Sequence, residues 1–454
     1  MKKLLMGNEA IALGALAAGV RFCAGYPGTP STEVLETIAK ERVPGVYAEW
    51  SVNEKAALEA AAGAAYAGAG TLVTMKQVGL NVASDPLMCL AYIGVRGGTV
   101  ILVADDPGPV SSQTEQDTRT FAKYSKLPCF DPSSPEEAYV MIRDAFRLSE
   151  EYRTPVLFRP TTRLCHASAV IEIDDNYNAP RTGKLEFVRS PDWVIFPRLS
   201  VRAHAAAERR NAELSDRLSL YAPNRAEFSE SGGRLGVATH GVNYAYVREA
   251  FDILGVTAPL LKIATPFPFP YKLAEEFLSS VDRVLCIEEL DPVIERELTY
   301  LAGKTHKNAV ILGKESGDIP PSGENTVDSV ADALAGVLGA ARSKPASPDA
   351  PPLPARPPVL CAGCPHRASF YAVKTAMHGS RALFCGDIGC YTLGNAPPLD
   401  TVDTCLCMGA GITIAQGLKF AEPDAAVFAF VGDSTFFASG MTGIANAVYN
   451  GHDV

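Results

Sequence analysis

The sequence predicts a multi-domain α/β protein built from three open parallel-sheet units, and three observations predict it. The chain of 454 residues, 47% hydrophobic and 20% charged, is too long for one core and long enough for about three of roughly 150 residues each. Short apolar runs of strand length alternate with helical stretches, the order that gives parallel sheets covered by helices. Several of those strands stop at small or acidic turns, where open α/β sheets place their ligands.

In chain order, A-I-A-L-G-A-L-A-A-G is a helix stopped at Gly19, and V-R-F-C-A-G-Y-P is a strand and loop. Ala56 to Ala69 has the Ala/Gly composition of a helix packed through small side chains, and T-L-V-T-M-K after it reads as a buried strand. The strand T-V-I-L-V-A-D at 99–105 ends in D-D-P-G-P, and P-V-L-F-R-P at 155–160 completes a first domain over 1–172. Residues 173–232 are a polar connector containing a charged surface helix at 203–218. A second α/β domain over 233–340 has strands at L-G-V-A-T, L-L-K-I, V-L-C-I-E-E and A-V-I-L-G. The segment 341–358 is proline-dense and predicts an extended linker. A third domain, 359–454, reaches the helix after a G-D-S turn, with the following strand expected beyond Val454; the chain reads as a fragment or as one piece of a split subunit.

A net charge of -10 disfavours nucleic acid as a partner, since a polyphosphate surface needs a basic footprint. The N-terminal apolar run is interrupted by Asn8 and Glu9, and no apolar segment reaches the roughly 18 residues of a membrane span, so a cytoplasmic protein is expected. Of eleven cysteines, Cys361, Cys364, Cys385, Cys390, Cys405 and Cys407 crowd into 47 residues, which suggests metal or redox chemistry more than disulfides. Cys23, Cys89, Cys129, Cys165 and Cys286 stand singly in apolar surroundings and read as buried, inert thiols.

The most informative run is V-F-A-F-V-G-D-S-T-F-F, an apolar strand ending at Gly432, Asp433 and Ser434. A small-residue turn there lets backbone amides approach phosphate oxygens, and an aspartate can hold a hard divalent cation. Together with C-A-G-C-P-H-R from Cys361, F-C-G-D-I-G-C-Y-T-L-G from Phe384 and D-T-C-L-C-M-G-A-G from Asp403, it resembles the thiamine-diphosphate domain of the indolepyruvate:ferredoxin oxidoreductases, alpha subunit. The resemblance extends over essentially the whole chain. It implies domains of the thiamine-diphosphate-binding and transketolase C-terminal types, with Mg2+ on Asp433 bridging to the diphosphate.

It further implies oxidative decarboxylation of arylpyruvates such as indolepyruvate to acyl-coenzyme A and CO2. Electrons would pass through 4Fe-4S clusters to ferredoxin, and a smaller beta subunit would complete the enzyme. A non-oxidative decarboxylase and a non-catalytic subunit are the alternatives.

The resemblance points to Glu54, in N-E-K-A, as the acid against the cofactor's aminopyrimidine, with Glu49 and Glu59 as competitors. Without it, Glu54 is equally an acidic first-turn residue complementing the helix dipole. Thr29, in Y-P-G-T-P-S-T-E, resembles the loop that holds a 2-oxo acid carboxylate; the local reading is a helix N-cap at Thr29 or Ser31 with Pro30 at the first helical position. Lys76, Gln77 and Asn81 are placed beside the site without a catalytic role. Cys361, Cys364 and Cys390 are candidate ligands of an iron-sulfur cluster, with inert small residues as the alternative. His366 is either a contact to substrate or cofactor or a structural histidine. Ala438 stands where the family's turn carries histidine, and Ala362 where proline is usual.

Overall fold

The structure, a computed structural model, describes all residues except 229–233, 341, 343–350, 352 and 355. The described chain packs as two units, 1–344 and 345–454. Most of the proline-rich linker expected at 341–358 lies outside the described residues. Among the described residues no helix is long and apolar enough to cross a membrane.

Fifteen strands are described in chain order: β1 (Lys2–Met6), β2 (Phe22–Gly25), β3 (Tyr47–Trp50), β4 (Thr71–Lys76), β5 (Thr99–Ala104), β6 (Cys129–Phe130), β7 (Val156–Phe158), β8 (Ser168–Glu172), β9 (Arg225–Glu227), β10 (Leu235–His240), β11 (Leu260–Ile263), β12 (Arg283–Ile287), β13 (Val310–Leu312), β14 (Ala382–Cys385) and β15 (Ala426–Ala429). The first unit holds a six-stranded parallel sheet in the order β3-β2-β4-β5-β7-β6. Both faces of this sheet are covered. Strands β4 and β5 are almost wholly buried, which is why they read as continuous apolar runs instead of alternating ones. One face packs against the helices Gly7–Ala17 and Pro135–Tyr152, through Ile11, Leu16, Ile142 and Phe146. The other packs against Glu54–Tyr66 and Gln77–Ile93, through Ala57, Ala61, Leu80 and Leu87.

A second sheet in the same unit has the order β13-β12-β10-β11-β9, parallel except for β9. The helix expected at 203–218 runs over Pro197–Leu218 and is more than a surface connector. Its residues Leu214 and Leu218 are buried in the first sheet's core, and Ser215 donates to the Phe269 carbonyl at 2.6 Å.

The carboxyl ends of the two sheets are tied by buried charges. Arg119 pairs with Asp117 at 2.7 Å and with Glu288, just past β12, at 2.8 Å; it also donates to the Glu289 and Asp291 carbonyls. Arg159, just past β7, donates to Asp105 at 2.6 Å and reaches Asp131 at 3.3 Å, while Asp131 lies 2.7 Å from His240 Nδ1 at the end of β10. The side chains of Arg119, Asp117, Glu288, Arg159, Asp105, Asp131 and His240 are essentially excluded from solvent. Burial and the nearby Arg119 charge push the His240 pKa down to about 4, against the pull of Asp131, so the ring is neutral at physiological pH.

The second unit contains the parallel pair β14-β15. The helix Ala410–Ala421 packs on it, Met441–Asn450 packs in turn on that helix, and the short helix Asp433–Thr435 follows β15.

Candidate functional site

At the carboxyl end of the six-stranded sheet, four loops carry the residues singled out in the sequence: Thr29 after β2, Glu54 after β3, Lys76 and Gln77 at the end of β4, and 105–117 after β5. Glu54 opens the helix Glu54–Tyr66 behind the N-cap Asn53, whose side chain accepts from Ala56 N at 2.8 Å. Because Asn53 satisfies the helix end, Glu54 is not needed as a cap. It is buried, and burial raises its pKa above the ordinary carboxylate range, opposed by its backbone hydrogen bond and by the charge of Lys76.

Gly79 determines where the Glu54 carboxyl lies. A Cβ on Gly79 would stand 2.4 Å from Glu54 Oε1 and 2.8 Å from its Cδ and Cγ, so the Glu54 side chain keeps this position only beside a glycine and would have to shift for any larger residue. Nothing in the sequence marked Gly79; the one visible signal is a glycine at the third position of a helix, where it costs helix stability. The two competitors are engaged elsewhere: Glu49 accepts from the Tyr47 and Ser51 hydroxyls, and exposed Glu59 pairs with Lys55.

Thr29 is exposed, and the Ser111 hydroxyl lies 3.4 Å from its carbonyl. The structure places the N-cap at Ser31, one of the two expected positions, and corrects the rest of that reading: the helix begins at Thr32 instead of Pro30, and the Ser31 hydroxyl donates to the Gly28 carbonyl without capping the helix end. Gln77 donates to the Thr114 carbonyl and Asn81 to Gln116 Oε1, both at 3.0 Å, bracing the 113–116 loop. Asp106 fixes the start of that loop by accepting from the amides of Val110, Ser111 and Ser112 and from the Thr162 hydroxyl.

In the second unit, Gly432 follows β15, and Asp433 and Ser434 are exposed at the start of the next helix. Asp433 Oδ1 accepts from the Ser434 amide at 2.9 Å. Buried Asp387 supports this turn, accepting from Gly432 N and Gly409 N at 2.9 Å each. The run G-D-I-G-C shows an aspartate, but its role as a tie between two loops is visible only in space. Gly409 has φ +82, and a Cβ there would meet Ser439 Oγ at 2.5 Å, so the C-M-G-A-G loop closes on the segment after the G-D-S turn only with glycine. The single exposed carboxylate of Asp433 is a donor set that fits Mg2+, which commonly takes one or two carboxylates and completes its shell with phosphate oxygens and water.

The cysteines fit a cluster less well. Cys361 and Cys390 are exposed, half-buried Cys364 has Sγ 3.1 Å from His366 Nδ1, and among the described residues no group of three or more His, Cys, Asp or Glu could hold a metal ion. His366 also packs edge-on against Tyr391, at 4.6 Å between ring centres. Cys23, Cys129, Cys165 and Cys286 are buried as expected, and burial raises their thiol pKa values; Cys89 is only partly buried. Ala438 lies in the π-helical turn Phe436–Gly440.

Comparison with known proteins bears on both units. Residues 13–190 match the family model "Pyruvate flavodoxin/ferredoxin oxidoreductase, thiamine diP-bdg", and 387–454 match "Thiamine pyrophosphate enzyme, C-terminal TPP binding domain". The indolepyruvate oxidoreductase subunit IorA of Methanothermobacter thermautotrophicus is 43% identical over 99% of this chain and 73% of its own length. The chain belongs to the indolepyruvate oxidoreductase IorA family. The IorA subunit of Pyrococcus horikoshii is 39% identical, over 100% of this chain and again 73% of the relative.

The family is one of oxidoreductases, and the matched models are thiamine-diphosphate-binding domains, in agreement with the resemblance read from the motifs. A solved 2-oxoglutarate:ferredoxin oxidoreductase from Magnetococcus marinus shares the fold, with a TM-score of 0.58 at 17% identity, covering 73% of this chain and 64% of that one.

Proposed function

We propose that this chain is the thiamine-diphosphate-carrying alpha subunit of a cytoplasmic 2-oxo acid oxidoreductase acting on aryl substrates of the indolepyruvate type. It would release CO2, transfer the acyl group to coenzyme A and deliver two electrons to ferredoxin through iron-sulfur carriers, in company with a smaller beta subunit. The observation that supports this reading most is the buried Glu54 carboxyl, held against Gly79 at the carboxyl end of the sheet, in a chain 43% identical to an IorA subunit.

In this reading Glu54 hydrogen-bonds the aminopyrimidine, and burial shifts its pKa upward, the direction that favours the proton-holding form. Gly432 leaves the backbone open to a diphosphate oxygen: a Cβ there would meet nothing nearer than 3.5 Å. Asp433 would supply a carboxylate to the Mg2+ that accompanies a diphosphate and Ser434 a hydroxyl from the same turn, which Asp387 keeps in place. Thr29 takes part in holding the substrate carboxylate. Thiamine diphosphate, when bound, supplies the carbon nucleophile that adds to the keto carbon and keeps the electrons left when CO2 departs. No electron step is assigned to Cys361, Cys364 and Cys390, which form no group of metal-ligating side chains among the described residues.

The test is Glu54→Gln in the holoenzyme. The reading expects turnover to fall by at least about 10²-fold, the usual contribution of a positioned acid or base. Calorimetry should still detect thiamine diphosphate and Mg2+ binding. Turnover equal to wild type removes Glu54 from the mechanism.

A further inference from the structure

We propose that Lys76 binds the carboxylate of the 2-oxo acid, its ammonium standing beside the Thr29 loop; this rests on the function proposed above and adds to it a charged substrate contact. Lys76 is the last residue of β4, where the chain leaves the sheet at the same edge as Thr29 and Glu54. Its stem runs over Gly28, the residue before Thr29: a Cβ on Gly28 would lie 3.3 Å from Lys76 Cγ and 3.4 Å from Cδ. The loop and the lysine stem are therefore in contact, and the ammonium is held near the loop's backbone.

The ammonium has no counter-ion among the described residues. Its one hydrogen bond is to a neutral group, Gln113 Oε1, at 3.3 Å. The two acids whose charge it feels are Asp106 and Glu54, and neither pairs with it. Asp106 is committed to the Val110, Ser111 and Ser112 amides and the Thr162 hydroxyl, and Glu54 is packed on Gly79. Several lysines of this unit are paired with acids, among them Lys55 with Glu59, Lys126 with Glu208, Lys262 with Glu137 and Lys272 with Asp216, whereas Lys314, like Lys76, has only a neutral acceptor, the Pro321 carbonyl.

Burial lowers the Lys76 pKa, the response of an ammonium that has lost water without gaining a full opposite charge. A small carboxylate arriving at this edge restores that charge. A compound with a neutral group in place of the carboxylate gains nothing from Lys76.

Steady-state kinetics of the holoenzyme with indolepyruvate, for Lys76→Met and Lys76→Arg, test the proposal. Loss of a charge-assisted hydrogen bond to the ligand predicts a KM raised about 10- to 100-fold in Lys76→Met. Partial recovery is expected in Lys76→Arg. Hydrogen-deuterium exchange at C2 of bound thiamine diphosphate, measured without substrate, should stay at the wild-type rate in Lys76→Arg, which keeps the charge that Glu54 feels, and should change far less than KM in Lys76→Met. A KM unchanged in Lys76→Met overturns the proposal. So does slowed C2 exchange with unchanged KM, which would make Lys76 an electrostatic partner of Glu54. If Glu54→Gln has wild-type C2 exchange, the underlying functional reading fails, whatever Lys76 does to KM.

Discussion

Replacing Gly79 by alanine separates catalytic positioning from stability, because the first is expected to fall sharply while the second barely moves. The added Cβ would sit 2.4 Å from Glu54 Oε1 and 2.8 Å from Cδ and Cγ, whereas comfortable carbon contacts begin at about 3.5 Å. Glu54 must therefore yield by about 1 Å or leave its rotamer. A displacement of ~1 Å in a positioned catalytic group can cost about 10²-fold in rate. Inside a helix, alanine is favoured over glycine by about 1 kcal/mol, which offsets part of the crowding.

The expected result for Gly79→Ala is a melting temperature within a few degrees of wild type and retained thiamine diphosphate binding. Exchange at C2 of the bound cofactor should be slower by about 10²-fold. In a Glu54→Gln background the same glycine change should add little, since both act on one carboxyl. Wild-type exchange in Gly79→Ala, or an equal further loss in the double variant, would refute the reasoning.

Asp387→Asn should weaken thiamine diphosphate binding by about 10- to 100-fold in calorimetry, because a carboxylate bridging Gly409 N and Gly432 N is reduced to one good acceptor. Unchanged affinity would separate the tie from the binding turn. Glu289 is buried with Oε2 unpartnered among the described residues, and burial raises its pKa to about 7. A carboxyl pKa raised on folding contributes stability that is complete below the unfolded value and is lost as pH rises through about 7. Glu289→Gln should therefore gain on wild type between pH 4.5 and 8, by at most about 3 kcal/mol in chemical denaturation; a difference independent of pH would contradict this. Arg159→Met strips Asp105 and Asp131 of their buried cation and should destabilise by about 3–5 kcal/mol; a loss under 1 kcal/mol would mean that the pairing is dispensable.

The parallel sheets were legible because buried strands such as β4 and β5 are written as unbroken apolar runs closed by acidic or small turns. Glu54 was legible as a helix-opening acid, but its burial, and the partners that engage Glu49 and Glu59, were not. The ion lock between the two sheets was not legible. Arg119 and Glu288 are 169 residues apart, and no local pattern reports a pair at that separation. The connector helix was misjudged because its many charges hide the buried Leu214 and Leu218. Gly79 and Asp387 escaped notice for a related reason: each acts through a contact with a residue distant in sequence, and only the space it leaves or the amides it holds reveal it.

The most direct test of the account is viologen reduction by the holoenzyme with indolepyruvate, thiamine diphosphate and Mg2+, with and without coenzyme A, followed by product identification. The account predicts coenzyme A-dependent reduction with two electrons and one acyl-coenzyme A per CO2. Release of free aldehyde without any electron acceptor would contradict it and identify a non-oxidative decarboxylase.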